Sequence, residues 1–117
     1  MTEQKMAPIH PGEVLYEDFM KPLSLSQNHV GRELGVSPRR INEIIHGKRG
    51  VTADTALRLG RYFGTTPEYW MNLQARYDLE TAKDSLEGSL TKEIRPISSG
   101  RAIAAGQTRG SAPTKMQ

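Results

Sequence analysis

The sequence predicts an all-α fold of five helices followed by a flexible C-terminal tail. Between residues 11 and 83, apolar residues recur at the three- and four-residue spacing of helices. Serine, threonine and proline stand where these helices would begin, and glycine stands where several would end. No run of valine, isoleucine and threonine alternates for long enough to predict a strand. We expect a domain over residues 1–87 and a basic tail over residues 88–117.

Start and stop residues locate the first two helices. Proline fits the first turn of a helix and interrupts a later one, so the first helix should begin at Pro11 and end before Pro22. Ser26 is a suitable N-cap for a second helix that runs to Leu34, and Gly35 ends it. The inward-facing apolar residues of this part are Val14, Leu15, Phe19, Val30 and Leu34.

The same signals locate three more helices. Ser37 and Pro38 start the third helix, Thr52 caps the fourth, and Pro67 starts the fifth. Gly64 closes the fourth helix. None of the five is expected to be much longer than about fifteen residues. The apolar residues at helical spacing are Ile41, Ile44 and Ile45 in the third helix, Ala56, Leu57, Leu59 and Phe63 in the fourth, and Trp70, Leu73 and Tyr77 in the fifth.

The composition changes from residue 88 onward. Residues 88–117 are rich in glycine and serine and contain no aromatic residue. Such a segment has too little apolar surface to offset the entropy lost on ordering, which predicts a flexible tail. Ile94, Ile97 and Ile103 leave room for a short strand or helix that forms when a partner binds.

Composition excludes several classes of protein. The chain has 117 residues and no cysteine, which excludes disulfides and metal sites with cysteine ligands. It has no long apolar run and no apolar segment near Met1 of the kind found in secretory signals, so we expect a cytoplasmic protein that does not enter membranes. The net charge of +3 is uneven, because residues 32–61 carry seven basic and three acidic side chains.

The sequence lacks the patterns of an enzyme. Its three histidines, His10, His29 and His46, form no H-x-x-x-H pair, and we expect them at helix edges or on exposed faces. No nucleophile elbow and no phosphate-binding loop is present. The carboxylates of the first helix fit an exposed polar face better than an acid–base pair. We therefore predict neither catalysis nor a bound metal or cofactor.

The second and third helices, with the three-residue turn between them, have the proportions of a helix-turn-helix. That motif needs a small residue where the two helices cross, a residue that tolerates positive φ in the turn, and apolar anchors beneath its second helix. The residues that meet these needs are Gly31, Gly35, Val36, Ile41 and Ile44. This interpretation predicts that the third helix lies in a groove of DNA.

The polar residues of the third helix are suited to reading base edges. Once its isoleucines face inward, Arg39, Arg40, Asn42 and Glu43 remain on its outer faces. Arginine pairs with guanine, asparagine pairs with adenine, and glutamate accepts from cytosine. Arg39 and Glu43 also fit an ordinary intrahelical ion pair, which contributes only about 0.2–0.5 kcal/mol.

Phosphate contacts are expected from residues around that helix. Gln27 lies just inside the second helix, Ser37 and Pro38 begin the third, and Lys48 and Arg49 follow it. Helix starts and flanking cations commonly bind phosphates and thereby fix the register of a protein on DNA. Ser37 also has an ordinary interpretation as a helix cap, and Lys48 and Arg49 have one as solvated loop cations.

Five segments carry more than the general motif requires. They are the opening HPGEVL, the Ser-Gln pair at the start of the second helix, GVSPRRINEII, GKRGVTADTALRL, and WMNLQARYDL in the fifth helix. Across residues 10 to about 80 the chain resembles the HigA antitoxins, a branch of the phage-repressor-like (Xre/Cro) helix-turn-helix proteins.

The resemblance implies a cytoplasmic antitoxin of a type II toxin–antitoxin pair. Such a protein neutralises a HigB-like toxin, which is a ribosome-dependent mRNA endonuclease, and represses its own operon by binding a palindromic operator as a homodimer. In this family the position of Gln27 touches a phosphate, and those of Ser37, Arg39, Arg40 and Glu43 face DNA. The fifth helix commonly helps to form the dimer. The residues that this assigns to the dimer interface are Trp70, Leu73 and Tyr77. For Trp70 and Tyr77 the alternatives are a place in the core and a platform on which bases stack.

One departure and two other functions remain open. Gly31 stands where these proteins usually have alanine, and glycine is about 1 kcal/mol poorer in a helix interior, so it is expected to loosen the second helix. The residues also fit a solitary Xre-type transcriptional regulator without a toxin. A helical interaction module whose basic third helix binds an acidic protein is the other alternative.

Overall fold

The computed structural model of the protein describes residues 7–97, and the regular structure in that range is entirely helical. Within that range, residues 7–85 belong to one compact unit and residues 86–97 belong to a second. No helix in the described range is long and apolar enough to cross a membrane. The elements are α1 (Pro11–Val14), which continues as a π-helical stretch (Leu15–Met20), α2 (Gln27–Leu34), α3 (Pro38–Ile45), α4 (Ala53–Phe63), α5 (Pro67–Leu86) and α6 (Ser89–Glu93). The all-α prediction is confirmed.

The predicted caps occupy their expected places. The hydroxyl oxygens of Ser26, Ser37 and Thr52 each accept a hydrogen bond from the backbone N–H three residues later, at the starts of α2, α3 and α4. Gly35 and Gly64 end α2 and α4 with φ of +74° and +78°, a left-handed conformation that glycine adopts without steric cost. The starts of α2, α3 and α4 and the ends of α2 and α4 therefore agree with the prediction.

The C-terminal helices differ from the prediction. α5 is 20 residues long, because it continues past the apolar positions on which its predicted length rested. α6 is a sixth helix, inside the segment that was predicted to be a flexible tail. It has no side-chain cap and no buried residue, so it lacks the signals by which a helix is predicted. Residues 98–117 of the predicted tail, including Ile103, lie outside the described residues.

The N-terminal part of α5 is anchored in the core. The rings of Phe19 and Trp70 lie 5.2 Å apart between centroids, and those of Phe19 and Phe63 lie 5.0 Å apart. The indole N–H of Trp70 donates to Thr65 Oγ1 at 2.7 Å, which satisfies its polar group. Other buried apolar side chains of this core are Leu15, Met20, Val30, Leu34, Ile41, Ile44, Val51, Ala56 and Leu59. Trp70 has no exposed surface, so its assignment to a dimer interface is wrong and the core alternative applies.

His10 lies at a helix edge, as expected from the sequence, and its side chain is buried there. It is the N-cap of α1, where its Nδ1 accepts a hydrogen bond from the backbone N–H of Gly12 at 2.9 Å. Its ring meets that of Tyr77 edge-on, with centroids 4.8 Å apart. Burial lowers the pKa of His10, although the nearby carboxylates of Asp78 and Glu13 oppose the shift.

This environment predicts a pH dependence of stability. The pKa of His10 in the folded chain lies below its value of about 6.5 in the unfolded chain. Above a pH of about 6.5, His10 is neutral in both the folded and the unfolded chain, and its contribution to the free energy of unfolding is fully present. As the pH falls below it, the unfolded chain binds a proton first, so the free energy of unfolding decreases until the folded-state pKa is passed.

Denaturant unfolding of the wild type and of His10→Asn, measured between about pH 5.5 and 7.5, tests this expectation. Asparagine caps a helix without titrating in this range, so the variant should lose the part of the slope that belongs to His10. His29 and His46 are present in both proteins. The difference in pH slope between the wild type and His10→Asn is therefore due to His10. Identical slopes would contradict the prediction.

Gly12 lies against the C-terminal end of α3. A Cβ atom at this position would stand 1.7 Å from the backbone oxygen of Ile44 and 2.9 Å from the Cα of Ile45. Glycine is therefore the only residue that permits this approach of α1 to α3 without a shift of one backbone. The HPGE segment thus positions α3, the helix predicted to lie in a groove of DNA, from its C-terminal side.

Candidate nucleic-acid interface

α2 and α3 form the helix-turn-helix, with residues 35–37 as the turn. The N–H of Val36 donates to the carbonyl of Gly31 at 2.9 Å, which closes the turn on the end of α2. A Cβ at Gly31 would stand 2.9 Å from the carbonyl oxygen of Val36 and 3.2 Å from the nitrogen of Pro38. In this chain the turn is too close to α2 for alanine without a shift, which gives glycine a packing reason at this departure from the family pattern.

The apolar side of α3 faces inward as predicted. Ile41 and Ile44 have no exposed surface. Asn42 and Glu43 lie toward the exposed side of the helix, and the side chain of Arg39 is 84% exposed. An exposed polar side on a firmly buried helix is the arrangement that base reading requires.

Glu43 joins two of the predicted DNA-binding arginines. Its carboxylate accepts from Arg39 Nε at 3.1 Å and from Arg49 Nε at 2.9 Å. These bonds, first that from Arg49 and then that from Arg39, lower the pKa of Glu43, so the carboxylate is charged. The intrahelical ion pair considered as an alternative is therefore present. It does not exclude DNA binding, because both arginines remain at the surface and can exchange the carboxylate for DNA.

A side-chain hydrogen bond links α2 and α3, the two helices of the motif. Asn42 Nδ2 donates to Gln27 Oε1 at 3.1 Å. The predicted phosphate contact at the start of α2 and a predicted base reader on α3 are therefore neighbours. Each amide retains further donor or acceptor capacity for DNA, since an amide side chain forms up to four hydrogen bonds.

Ser37, Pro38 and Arg40 lie at the N-terminus of α3. Ser37 Oγ accepts from the backbone N–H of Arg40 at 3.1 Å, so the ordinary interpretation of this serine as a cap is confirmed. Pro38 occupies the first turn and is exposed. Arg40 is only half-exposed, and its Nη1 lies 3.6 Å from Asp54 Oδ2 on α4. Of the four predicted base readers, Arg40 is the one turned toward α4.

The loop after α3 carries Lys48 and Arg49 and is held at two points. The backbone N–H of Lys48 donates to the carbonyl of Glu43 at 2.8 Å, and that of Val51 donates to Gln74 Oε1 on α5 at 2.7 Å. Within residues 7–97, no carboxylate forms an ion pair with the Lys48 ammonium group. The loop therefore presents an exposed cation from a fixed backbone.

Comparison with known proteins agrees with this geometry. The helix-turn-helix family matches residues 17–70. The virulence-associated protein I of Dichelobacter nodosus is 52% identical over 81 residues, which cover 69% of this chain and 75% of that protein. The Pseudomonas aeruginosa antitoxin HigA, solved with the higBA promoter, is 43% identical, with a TM-score of 0.74 and coverage of 77% of this chain and 98% of HigA. The chain belongs to the HigA antitoxin family.

A further HigA-family structure has the same likeness. An addiction module antidote protein of a HigA family from Coxiella burnetii is 44% identical, with a TM-score of 0.74, and the match covers 78% of this chain and 99% of that one. The resemblance inferred from the sequence is thus confirmed. HigA antitoxins are helix-turn-helix proteins and are not known as enzymes.

Two polar residues of α4 join this HigA-family motif and were not predicted to do so. Arg58 Nη1 donates to the carbonyl of Leu34 at the end of α2, at 2.8 Å. Arg58 Nε bonds to Asp54, whose carboxylate also faces Arg40. The four-residue spacing of Asp54 and Arg58 indicates an ion pair in the sequence. Their approach to α2 and α3 depends on tertiary packing and leaves no such signal.

Proposed function

We propose that this chain is the antitoxin of a type II toxin–antitoxin pair and acts in the cytoplasm. It neutralises a HigB-like mRNA endonuclease toxin and represses its own operon by binding double-stranded operator DNA as a homodimer. The observation that carries the DNA-binding part is the exposed polar side of α3, opposite the fully buried Ile41 and Ile44. The likeness to a HigA protein solved with the higBA promoter supports it.

The proposed contacts divide into two groups. Arg39, Arg40, Asn42 and Glu43 read base edges. The residues proposed to bind phosphates are Gln27, Ser37, Pro38, Lys48 and Arg49. The pair of Gln27 and Asn42 connects the two groups, because a phosphate held by the first orients the second.

Dimerisation is part of the proposal because one short helix reads only a few base pairs. Two recognition helices spaced about 34 Å apart would read a palindromic operator in successive turns of the groove. Leu73 and Tyr77, one turn apart on α5, are half-buried in the protomer and expose part of their apolar surface. This apolar surface is the proposed contact between copies. Sedimentation of the protein with and without operator DNA tests the stoichiometry.

Arg39→Ala should lower operator affinity by about 1–3 kcal/mol and relax the base preference at one operator position. The reason is that the side chain of Arg39 is 84% exposed on the outer side of α3, so its guanidinium can leave Glu43 for a guanine. Binding should be measured on the operator and on variants with single base-pair changes. Equal losses on operator and random DNA would contradict a base-reading role.

Lys48→Ala should weaken binding to all sequences alike and reduce the slope of log affinity against log salt by about one unit. The lysine is exposed on an anchored loop and presents a point charge without base selectivity. Lys83→Ala is a matched control, since Lys83 is an exposed lysine on α5. A selective loss of operator binding in Lys48→Ala would assign it to base reading instead.

The toxin part of the proposal is tested with the product of the adjacent gene. We expect co-expression to restore growth that the toxin alone arrests, and the two proteins to co-purify. Operator binding without such rescue would favour the solitary regulator. Absence of DNA binding at low salt would leave the interaction module.

A further inference from the structure

Asp54 receives two arginines from different parts of the motif. It lies in the first turn of α4, and its carboxylate accepts from Arg58 Nε at 3.1 and 3.2 Å. Its Oδ2 lies 3.6 Å from Arg40 Nη1 on α3. The first turn of a helix is a favourable place for a carboxylate, so the charge is stabilised there without Arg40. Asp54 can therefore act on Arg40 from a position that other contacts maintain.

Arg58 fixes that position. Its Nη1 donates at 2.8 Å to the carbonyl of Leu34, in the last turn of α2. A Cβ at Gly35 would lie only 3.1 Å from the same nitrogen, so the guanidinium rests directly on the turn. With one end of Arg58 on the turn and the other on Asp54, the carboxylate has a defined place beside the N-terminus of α3.

We propose that Asp54 is a positioning residue that sets DNA specificity through Arg40. By facing one edge of the guanidinium, it restricts the orientations of Arg40 and offsets its charge. This inference rests on the proposed function, since it assumes that α3 reads DNA. It assigns a role to a residue of α4 that makes no contact with bases itself.

The physical reason lies in how arginine binds DNA. A guanidinium without a carboxylate partner attracts any phosphate, whereas one that is held on one edge presents its remaining N–H groups in a fixed plane suited to guanine. A neighbouring carboxylate also reduces the charge-driven binding that is common to all sequences. Both effects raise the ratio of operator affinity to random-sequence affinity.

The test uses Asp54→Asn, which removes the charge and keeps the size of the side chain. The probes are a duplex enriched from a random pool by the wild-type protein and a scrambled duplex of the same composition. We expect the affinity ratio to fall roughly threefold to fivefold, with tighter binding to the scrambled duplex. Glu33→Gln is the control, because Glu33 is an exposed carboxylate on α2 that lines the same surface pocket as Asp54. It should leave the ratio unchanged.

A double-mutant cycle with Arg40→Ala separates positioning from general stability. If Asp54 acts through Arg40, Asp54→Asn has no further effect on the ratio once Arg40 is alanine. Thermal unfolding of each variant shows how much of a change in the affinity ratio is due to lost stability. The side chain of Asp54 is 57% exposed, so we expect Asp54→Asn to fold.

The outcomes are distinct. A ratio that stays at the wild-type value in Asp54→Asn, or that falls equally in both backgrounds, overturns the inference and leaves the proposed function standing. If the wild type enriches no sequence from the pool, the proposed function fails and the inference fails with it.

Discussion

Gly12→Ala should lower the free energy of unfolding by about 3 kcal/mol or more. A methyl group at this position would stand 1.7 Å from the backbone oxygen of Ile44, and no side-chain rotation can relieve a contact between two backbones. The same oxygen accepts the N–H of Gly47 at 3.0 Å, so the turn after α3 would be disturbed as well. Denaturant unfolding gives the loss of stability.

Operator affinity should fall in the same variant, even under conditions where it is folded, because the displacement moves α3. Glu13→Ala provides the control, since it introduces alanine at an exposed neighbouring position of α1 and should change stability by no more than about 0.5 kcal/mol. A Gly12→Ala protein with wild-type stability and affinity would mean that α1 does not support the recognition helix.

Trp70→Ala should lower the free energy of unfolding by about 3–5 kcal/mol, the range typical for removal of a buried aromatic side chain. The indole has no exposed surface and contacts the ring of Phe19. Because these contacts lie within one protomer, the loss should be the same at low and high protein concentration. A loss that fades as the concentration rises would place Trp70 between copies after all.

Thr65→Val examines the polar part of the same site. It removes the acceptor of the indole N–H while nearly keeping the shape, and a buried donor left without a partner costs about 1–3 kcal/mol. Glu68→Ala, at an exposed position two residues before Trp70 in α5, should change stability by no more than about 0.5 kcal/mol. Equal stabilities of Thr65→Val and wild type would show that the bond contributes little.

Local signals made most of the fold predictable. Ser26, Ser37 and Thr52 cap helices through bonds to residues three positions away, and Gly35 and Gly64 end them through their own backbone conformation. Such effects involve neighbours in the chain, so a single sequence contains them. The inward side of α3 was predictable for the same reason, because its isoleucines recur at helical spacing.

The remaining features depend on contacts between distant residues. His10 is buried because Tyr77 packs against it, and Trp70 is enclosed by Phe19 and Thr65. A sequence shows that a tryptophan is apolar and does not show whether its own protomer or another copy covers it. Residues 89–93 form a helix without the caps and apolar spacing on which prediction relies.

α3 is held at both ends, by the Gly12 backbone at its C-terminus and by the turn under Arg58 before its N-terminus. The protomer therefore has little freedom to swing this helix along a DNA groove. In the proposed homodimer, the separation and angle of the two helices would follow from the interface between copies alone. An operator with one added base pair between its half-sites would rotate one of them by about 35° around the duplex axis. The dimer interface would have to deform, or the DNA would have to twist, to accommodate this rotation. The homodimer would therefore select operators by the spacing of their half-sites.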